Sequence, residues 1–234
     1  MNKFAKAGLA AGLGLFMLSG SASAATLNFT QYIDTVAGEK SVISDFALGG
    51  YTVSAHGSTV LGAADPVPAG FADYSSDPQA YFDFGAAGIG VCRTTVATQC
   101  SPASDDNVTG PGVPGGPIEI LSVGFNAAVA VTDLIFKTEG HNFAFTAGDL
   151  IDISTDGITW SAFAFIAGTG ALAGDPTFLL AAGEYLHFKF NNEQFYLSAA
   201  TVTSVPLPAA GLFLLSGLAG LGFLGRRKKS TANA

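Results

Sequence analysis

Basic residues are scarce between the two ends of this 234-residue chain. Of the 10 lysines and arginines, only Lys40, Arg93, Lys137 and Lys189 lie within residues 25–204, whereas all 18 acidic residues lie there. A surface this acidic repels the phosphates of nucleic acids and the headgroups of anionic lipids. We therefore expect no nucleic-acid partner, and we expect the body of the protein to behave as a secreted, water-exposed module.

The chain also lacks the short motifs that carry familiar chemistries. It contains no HExxH zinc motif, no G-x-S-x-G nucleophile elbow, no phosphate-binding loop and no dinucleotide fingerprint. Its histidines, His56, His141 and His187, are far apart and show no ligand spacing, and we expect His187 to be exposed on its strand. These absences predict no catalytic residues, no cofactor and no enzymatic activity. An enzyme with an unfamiliar site is the alternative.

Long straight-chain helix formers are scarce as well, whereas glycine, with 30 residues, and phenylalanine, with 19, are abundant. Residues with alternating polarity favour strands. Strands are predicted at 26–30, 51–54, 80–84, 118–125, 128–136, 143–146, 150–154, 158–161, 185–190 and 195–203, with Asp156-Gly157 as a tight hairpin turn. Short strands at this spacing predict an all-β fold over residues 25–204, an antiparallel, jelly-roll-like β-sandwich in one domain.

Two stretches, 61–78 and 92–117, are rich in proline, glycine and aspartate and are predicted to be loops. The second contains both cysteines, Cys92 and Cys100, and we predict that they form a disulfide in an exported protein. A metal site is the rival interpretation.

Asp105, Asp106 and Asn107 follow the cysteines and carry oxygen ligands of the type that calcium prefers. The alternative for this cluster is a solvated acidic turn. A second calcium-like pattern at 152–157 has Phe163 where the loop requires glutamate, so we favour a hairpin there.

The first 24 residues have the three parts of a secretory signal. Lys3 and Lys6 precede an apolar run at 7–18, which is short for a membrane span. Ala22 and Ala24 then occupy the small-residue positions of a cleavage site, which predicts a cut between Ala24 and Ala25. An uncleaved anchor helix is the alternative.

The C-terminal end has three parts in a defined order. The segment begins with Val205, Pro206, Leu207 and Pro208, where the prolines prevent a strand from continuing. Residues 209–225 carry no charge and are just long enough for a thin hydrocarbon core. The basic cluster 226–229, which includes Arg226 and Arg227, precedes a cytoplasmic tail at 230–234. The positive-inside rule places this cluster in the cytoplasm and the body outside.

This arrangement resembles the PEP-CTERM sorting signal of Gram-negative bacteria, over residues 205–229. The usual motif is Val-Pro-Glu-Pro, and Leu207 stands in place of the glutamate, as in a known variant of the tail. Segments 195–202, 88–92, 99–102 and 105–108 also resemble exported domains found before such tails. The resemblance implies processing by an exosortase, a membrane-anchored intermediate, and delivery to the cell surface or the medium.

We therefore expect an exported surface or extracellular-matrix protein with a non-catalytic structural or interaction role. Its expected partners are the secretion machinery, an exosortase and, through the C-terminal helix, the membrane. The alternative function is a glycan-binding module, with or without the help of calcium, whose ligand the resemblance implies to be exopolysaccharide.

Overall fold

The computed structural model describes residues 23–60, 77–111 and 117–205. In chain order its strands are β1 (Ala24–Asn28), β2 (Lys40–Ser41), β3 (Phe46–Leu48), β4 (Tyr51–Val60), β5 (Gln79–Asp83), β6 (Gly88–Cys92), β7 (Thr95–Val96), β8 (Gln99–Cys100), β9 (Ile118–Phe125), β10 (Val129–Lys137), β11 (Leu150–Ser154), β12 (Ser161–Ala164), β13 (Phe178–Leu180), β14 (Tyr185–Phe190) and β15 (Tyr196–Ser204). A short helix, α1 (Phe29–Tyr32), continues into one π-helical turn at Ile33–Ala37.

The strands form two antiparallel sheets and a small ribbon. The six-stranded sheet has the order β12-β11-β14-β9-β4-β3. The seven-stranded sheet has the order β13-β10-β15-β6-β5-β2, and β1 also pairs with β15. Strands β7 and β8 pair only with each other. The predicted all-β antiparallel sandwich is confirmed.

The core lies between the inner faces of the two sheets. In the six-stranded sheet, Val53 pairs with Phe125, and Val123 pairs with Leu186, and all four side chains are buried. Phe136 of the opposite sheet packs edge-to-face against the Phe188 ring at a centroid distance of 5.6 Å. Removing such side chains from water stabilises the fold by roughly 1.5–3 kcal/mol each.

A β-bulge divides β10 into two halves. Val129 and Val131 face the core before the bulge, and Leu134 and Phe136 face it afterwards. The extra residue is Asp133, whose φ of 45° lies in the left-handed region. The pairing of β10 with β15 shifts register at the same place. The side chains that point outward therefore change from even to odd positions along this strand.

Several predicted strands match the structure closely. Those at 118–125, 150–154 and 185–190 coincide with β9, β11 and β14. The predicted strand at 51–54 is longer in the structure and runs to Val60.

The predicted strand at 26–30 is correct only in its first part. Strand β1 ends at Asn28. The side-chain oxygen of Asn28 accepts a hydrogen bond from the backbone N–H of Gln31 at 2.8 Å. This cap starts a helix at Phe29 where alternation predicted extended backbone.

The predicted strand at 143–146 is wrong, because this segment is irregular in the structure. The side chain of Asn142 accepts the N–H of Ala144 at 2.9 Å, and Asp149 accepts the N–H of Thr146 at 2.7 Å. Side chains thus satisfy donors that a strand would offer to a neighbour.

The predicted strand at 158–161 is also wrong, since β12 begins only at Ser161. The carboxylate of Asp156 accepts the N–H groups of Ile158 at 2.8 Å and Thr159 at 2.7 Å. These bonds hold residues 155–160 in a wider loop than the predicted two-residue turn.

The predicted signal peptide lies outside the described residues except for its last two positions. The predicted membrane helix at 209–225 also lies outside them, as do Ala22, Pro206, Leu207, Pro208, Arg226 and Arg227. Within residues 23–60, 77–111 and 117–205, we find no helix with the length and apolar character needed to span a membrane.

Candidate functional site

A groove of about 480 Å³ opens on the outer face of the seven-stranded sheet. Its floor is formed by Ile135 of β10 and by Ser198 and Ala199 of β15. Ile135 lies after the bulge at Asp133, and this position turns its side chain outward. The bulge therefore shapes the floor of the groove.

One wall of the groove is the short helical segment that begins at residue 29. Its position is fixed from two sides. The Thr30 hydroxyl lies 2.8 Å from the Ser198 hydroxyl, and the Asp34 carboxylate accepts the N–H of Gly85 at 3.2 Å. Gln31 lies on this wall, and its side-chain amide makes no hydrogen bond to the residues that the structure describes. This amide is available to an incoming ligand.

The opposite wall carries an aromatic ring and an ammonium group. Phe143 is 40% exposed, and the Lys137 Nζ lies 5.3 Å from its ring centroid. Lys137 also donates a hydrogen bond to the carbonyl of Ala86. Burial lowers the pKa of Lys137, and the charge of Asp34 opposes this effect. One donated bond leaves further ammonium protons for hydrogen bonding, since lysine has three.

Gly170 allows the Phe143 wall to form. A Cβ at this position would lie 2.1 Å from the Phe136 carbonyl oxygen and 2.7 Å from the Phe143 ring. Its φ of 70° is also in the left-handed region that favours glycine. Any side chain here would displace the ring or the strand beside it.

A second cavity of about 340 Å³ lies beside the loop between β11 and β12. Phe163 and Phe178 form its apolar side, with their ring centroids 5.7 Å apart. Asp156 lies on its polar side, and hydrogen bonds from Thr159, Ile158 and Ser154 lower the pKa of this carboxyl. Through these hydrogen bonds Asp156 stabilises the loop between β11 and β12, in agreement with its predicted role in a turn.

The predicted disulfide is confirmed. Cys92 and Cys100 are bonded, with their Cα atoms 5.7 Å apart, and both are buried. The bridge joins the end of β6 to β8.

The three predicted calcium ligands, Asp105, Asp106 and Asn107, each contact a different side chain. Asp105 pairs with Arg93, Asp106 accepts the Tyr196 hydroxyl at 2.6 Å, and Asn107 donates to the Gln194 side chain at 3.0 Å. Among the described parts of the chain, no group of three or more His, Cys, Asp or Glu side chains is placed to hold a metal. The calcium site therefore stays a prediction, without a converging ligand set around these residues.

His187 is buried, with 6% exposure, so its predicted exposed position is wrong. Its Nδ1 lies 2.7 Å from the Ser122 hydroxyl, and the Trp160 ring packs against it at a centroid distance of 6.4 Å. Burial lowers the pKa of His187 to about 4. The alternating polarity of β14 showed which face of the strand carries His187. It did not show that other side chains cover that face.

A carboxylate cluster lies where β5 ends, next to the turn whose Gly85 N–H donates to Asp34. Asp83 Oδ2 is 2.8 Å from His141 Nε2. Burial and the nearby charge of Asp106 raise the pKa of Asp83 to about 6, and His141 acts in the opposite direction. These residues are distant in sequence, so no motif could reveal the cluster. Neither this cluster nor Glu119 lines the two cavities described above.

Comparisons with known proteins identify no relative. No protein-family model, no curated protein and no solved structure matches the chain.

Proposed function

We propose that this chain is an exported cell-surface or extracellular-matrix protein with a non-catalytic interaction role. The observation that carries the proposal is the pairing of β1 with β15, in which Ala24 lies opposite Thr203. Paired residues in antiparallel strands are about 5 Å apart. The two junctions of the body, one after the predicted signal peptide and one before the predicted tail, are therefore neighbours.

Neighbouring junctions suit a chain that is held in one membrane at both ends during export. The predicted signal at 1–24 and the predicted helix at 209–225 would leave the sandwich at the same place. The body could then fold on one side of the bilayer without either connection crossing it. Cleavage between Ala24 and Ala25 would remove only the first residue of β1.

The disulfide between Cys92 and Cys100 adds support, because such bonds persist mainly in oxidising compartments outside the cytoplasm. The finer proposals are a jelly-roll-like sandwich, a PEP-CTERM-like tail at 205–229 and processing by an exosortase in a Gram-negative host. The basic cluster 226–229 supports retention of the tail end in the cytoplasm.

An epitope inserted between Gly174 and Asp175, two exposed residues of the connection between β12 and β13, tests the location. In a Gram-negative host with an exosortase, we expect external protease to remove the epitope from intact cells. Deletion of 205–229 should shift the protein from the cell-associated fraction to the periplasm or medium. A cytoplasmic epitope, or an unchanged distribution after the deletion, would contradict the proposal.

The second candidate function is a glycan-binding module, and the groove with Phe143 and Gln31 favours it. Calcium assistance is a separate part of this candidate. If calcium binds at Asp105, Asp106 or Asn107, a chelator should lower the melting temperature, and added calcium should restore it. An identical melting curve with and without chelator would exclude the calcium component while leaving the groove untouched.

A further inference from the structure

We propose that the groove between Gln31 and Phe143 binds a ring of a neutral glycan. This inference rests on the second candidate function and assigns it a place and a ligand class. Phe143 provides a surface for stacking, and Gln31 and Lys137 provide hydrogen bonds to ring hydroxyls. A sugar ring presents apolar C–H faces and polar edges; the Phe143 ring suits the faces, and the Gln31 amide and Lys137 ammonium suit the edges.

The groove is accessible and has the size of a small-molecule site. Its volume of about 480 Å³ lies within the usual range for ligand sites, roughly 300–1,000 Å³. Gln31, Asp34 and Phe143 are all exposed at its walls. The ligand would therefore meet polar groups and an aromatic face without any opening movement.

The walls are held in place before a ligand arrives. Asn28 caps the helical wall, the Asp34 carboxylate is tied to Gly85, and the bulge at Asp133 sets the floor. A site whose side chains are already ordered loses less conformational entropy on binding. The fixed positions of these residues support the interpretation that the groove is a specific binding site.

Charge favours a neutral ligand over an acidic one. The body carries four basic residues against 18 acidic ones, so polyuronates and other anionic polymers are repelled at long range. Within the groove, the Lys137 ammonium is accompanied by the Asp34 carboxylate. The two charges together offer donors and acceptors to hydroxyl groups without a net positive field.

The groove also lies away from the junctions with the predicted membrane segments. Asn28 lines the groove, and Ala24 lies at the other end of β1. Four residues of strand span about 13 Å. A glycan in the groove would therefore not compete with the membrane for the same end of the sandwich.

The test uses the full-length chain in a zwitterionic detergent without sugar headgroups, since maltosides would compete for the groove. The probes are immobilised neutral oligosaccharides (cello-, xylo-, manno- and malto-series) and polyuronates. We expect retention on at least one neutral series and none on polyuronates. Because the protein is purified first, the result is independent of where the cell delivers it.

Substitutions locate the binding site. Phe143→Ala should weaken binding about tenfold, and Phe143→Tyr should keep most of it, because the ring is retained. Gln31→Ala should weaken binding about threefold to tenfold without affecting folding, since its amide makes no hydrogen bond to a described residue. Phe84→Ala is the matched control, an exposed phenylalanine that does not line the groove.

Three outcomes would overturn the inference. The first is no retention on any neutral series, and the second is retention on polyuronates alone. The third is binding that Gln31→Ala and Phe143→Ala leave at the level of the Phe84→Ala control. If Phe143→Ala fails to fold, the test rests on Gln31→Ala, which should fold normally because the Gln31 side chain lies on the surface. Unchanged binding by Gln31→Ala would then overturn the inference.

Discussion

The Arg93 guanidinium donates hydrogen bonds to the Asp105 carboxylate from two nitrogens. Nη2 lies 2.6 Å from Oδ1, and Nε lies 2.9 Å from both carboxylate oxygens. Asp105 is only 2% exposed, so this pair attaches the loop after the disulfide to the residue that directly follows β6. Two-point contacts of this kind are stronger than single hydrogen bonds.

Replacing Arg93 with methionine should destabilise the protein by about 2 kcal/mol, because a buried carboxylate loses its partner. The figure is below the range of roughly 3–5 kcal/mol for fully buried pairs because Arg93 is partly exposed. Urea unfolding measures the change. Lys40→Met, at a basic residue with no ion pair among the described residues, should change stability by less than about 0.5 kcal/mol. Equal effects of both substitutions would contradict the role of Arg93.

Glu119 should make stability fall as pH rises. Burial raises its pKa to about 9, while Arg93, at 3.2 Å from Oε1, only partly opposes the shift. The folded state therefore keeps a proton that the unfolded state releases above its ordinary pKa of 4.5. Stability contributed by the protonated acid is present below pH 4.5 and is lost as pH rises towards 9.

Glu119→Gln should remove this part of the pH dependence and raise stability at pH 8. The amide oxygen can still accept the N–H of Thr109, which now donates to Oε2 at 2.9 Å. Thermal melting at pH 6 and pH 8 provides the comparison, with exposed Glu139→Gln as the control. A slope between these pH values that survives in Glu119→Gln would exclude Glu119 as its source.

The disulfide should contribute roughly 2 to 3 kcal/mol, near the low end for such bonds, because the loop that it closes is short. Cys92 and Cys100 are separated by eight positions in sequence. The double substitution to alanine should lose this stability in denaturant unfolding. Reductant should destabilise the native protein by a similar amount and leave the double variant unchanged; a native protein indifferent to reductant would refute the prediction.

The bulge at Asp133 should tolerate glycine and reject a β-branched residue. Asp133→Gly removes the side chain that makes a φ of 45° unfavourable, so stability should hold or improve slightly. Asp133→Val should cost about 1–2 kcal/mol, because the left-handed region crowds its Cβ. Thermal melts of the two variants give the comparison, and equal melting temperatures would show that the bulge does not constrain this position.

Two buried serines on the outer face of the six-stranded sheet offer a matched pair. Ser122 is hydrogen bonded to His187 at 2.7 Å, whereas the Ser58 hydroxyl makes no hydrogen bond among the described residues. Ser122→Ala should cost about 1–2 kcal/mol, and Ser58→Ala should be neutral or stabilising. Urea unfolding of both variants tests this difference, and a costlier Ser58→Ala would reverse the interpretation.

Local patterns predicted much of the sandwich. Alternation located β9, β11 and β14 to the residue, and the expectation of export predicted the bond between Cys92 and Cys100. The errors arose where side chains bind the backbone. Asn142 and Asp156 take N–H groups that an alternating pattern assigns to strands. These competing bonds depend on loop geometry, which polarity alone does not encode.

The candidate site was not visible in the sequence. Gln31 and Phe143 belong to no motif, and the segments around both were predicted to be strands or strand ends. The groove exists because β1, β10 and β15 become neighbours in one sheet, although β1 ends at Asn28, β10 begins only at Val129 and β15 only at Tyr196. A sequence scan could have noted only the break in alternation at Asp133.

By itself, the sequence determined the strand-rich character and the acidic charge of the body, since composition and alternation control these properties, and its predicted export signal indicated that the two cysteines would be bonded. Tertiary structure decided which distant groups meet, as Asp83 meets His141 and Arg93 meets both Asp105 and Glu119. It also decided, through one extra residue in β10, which side chains face the groove. Pairing between remote strands sets register, and register sets the face of every residue that follows.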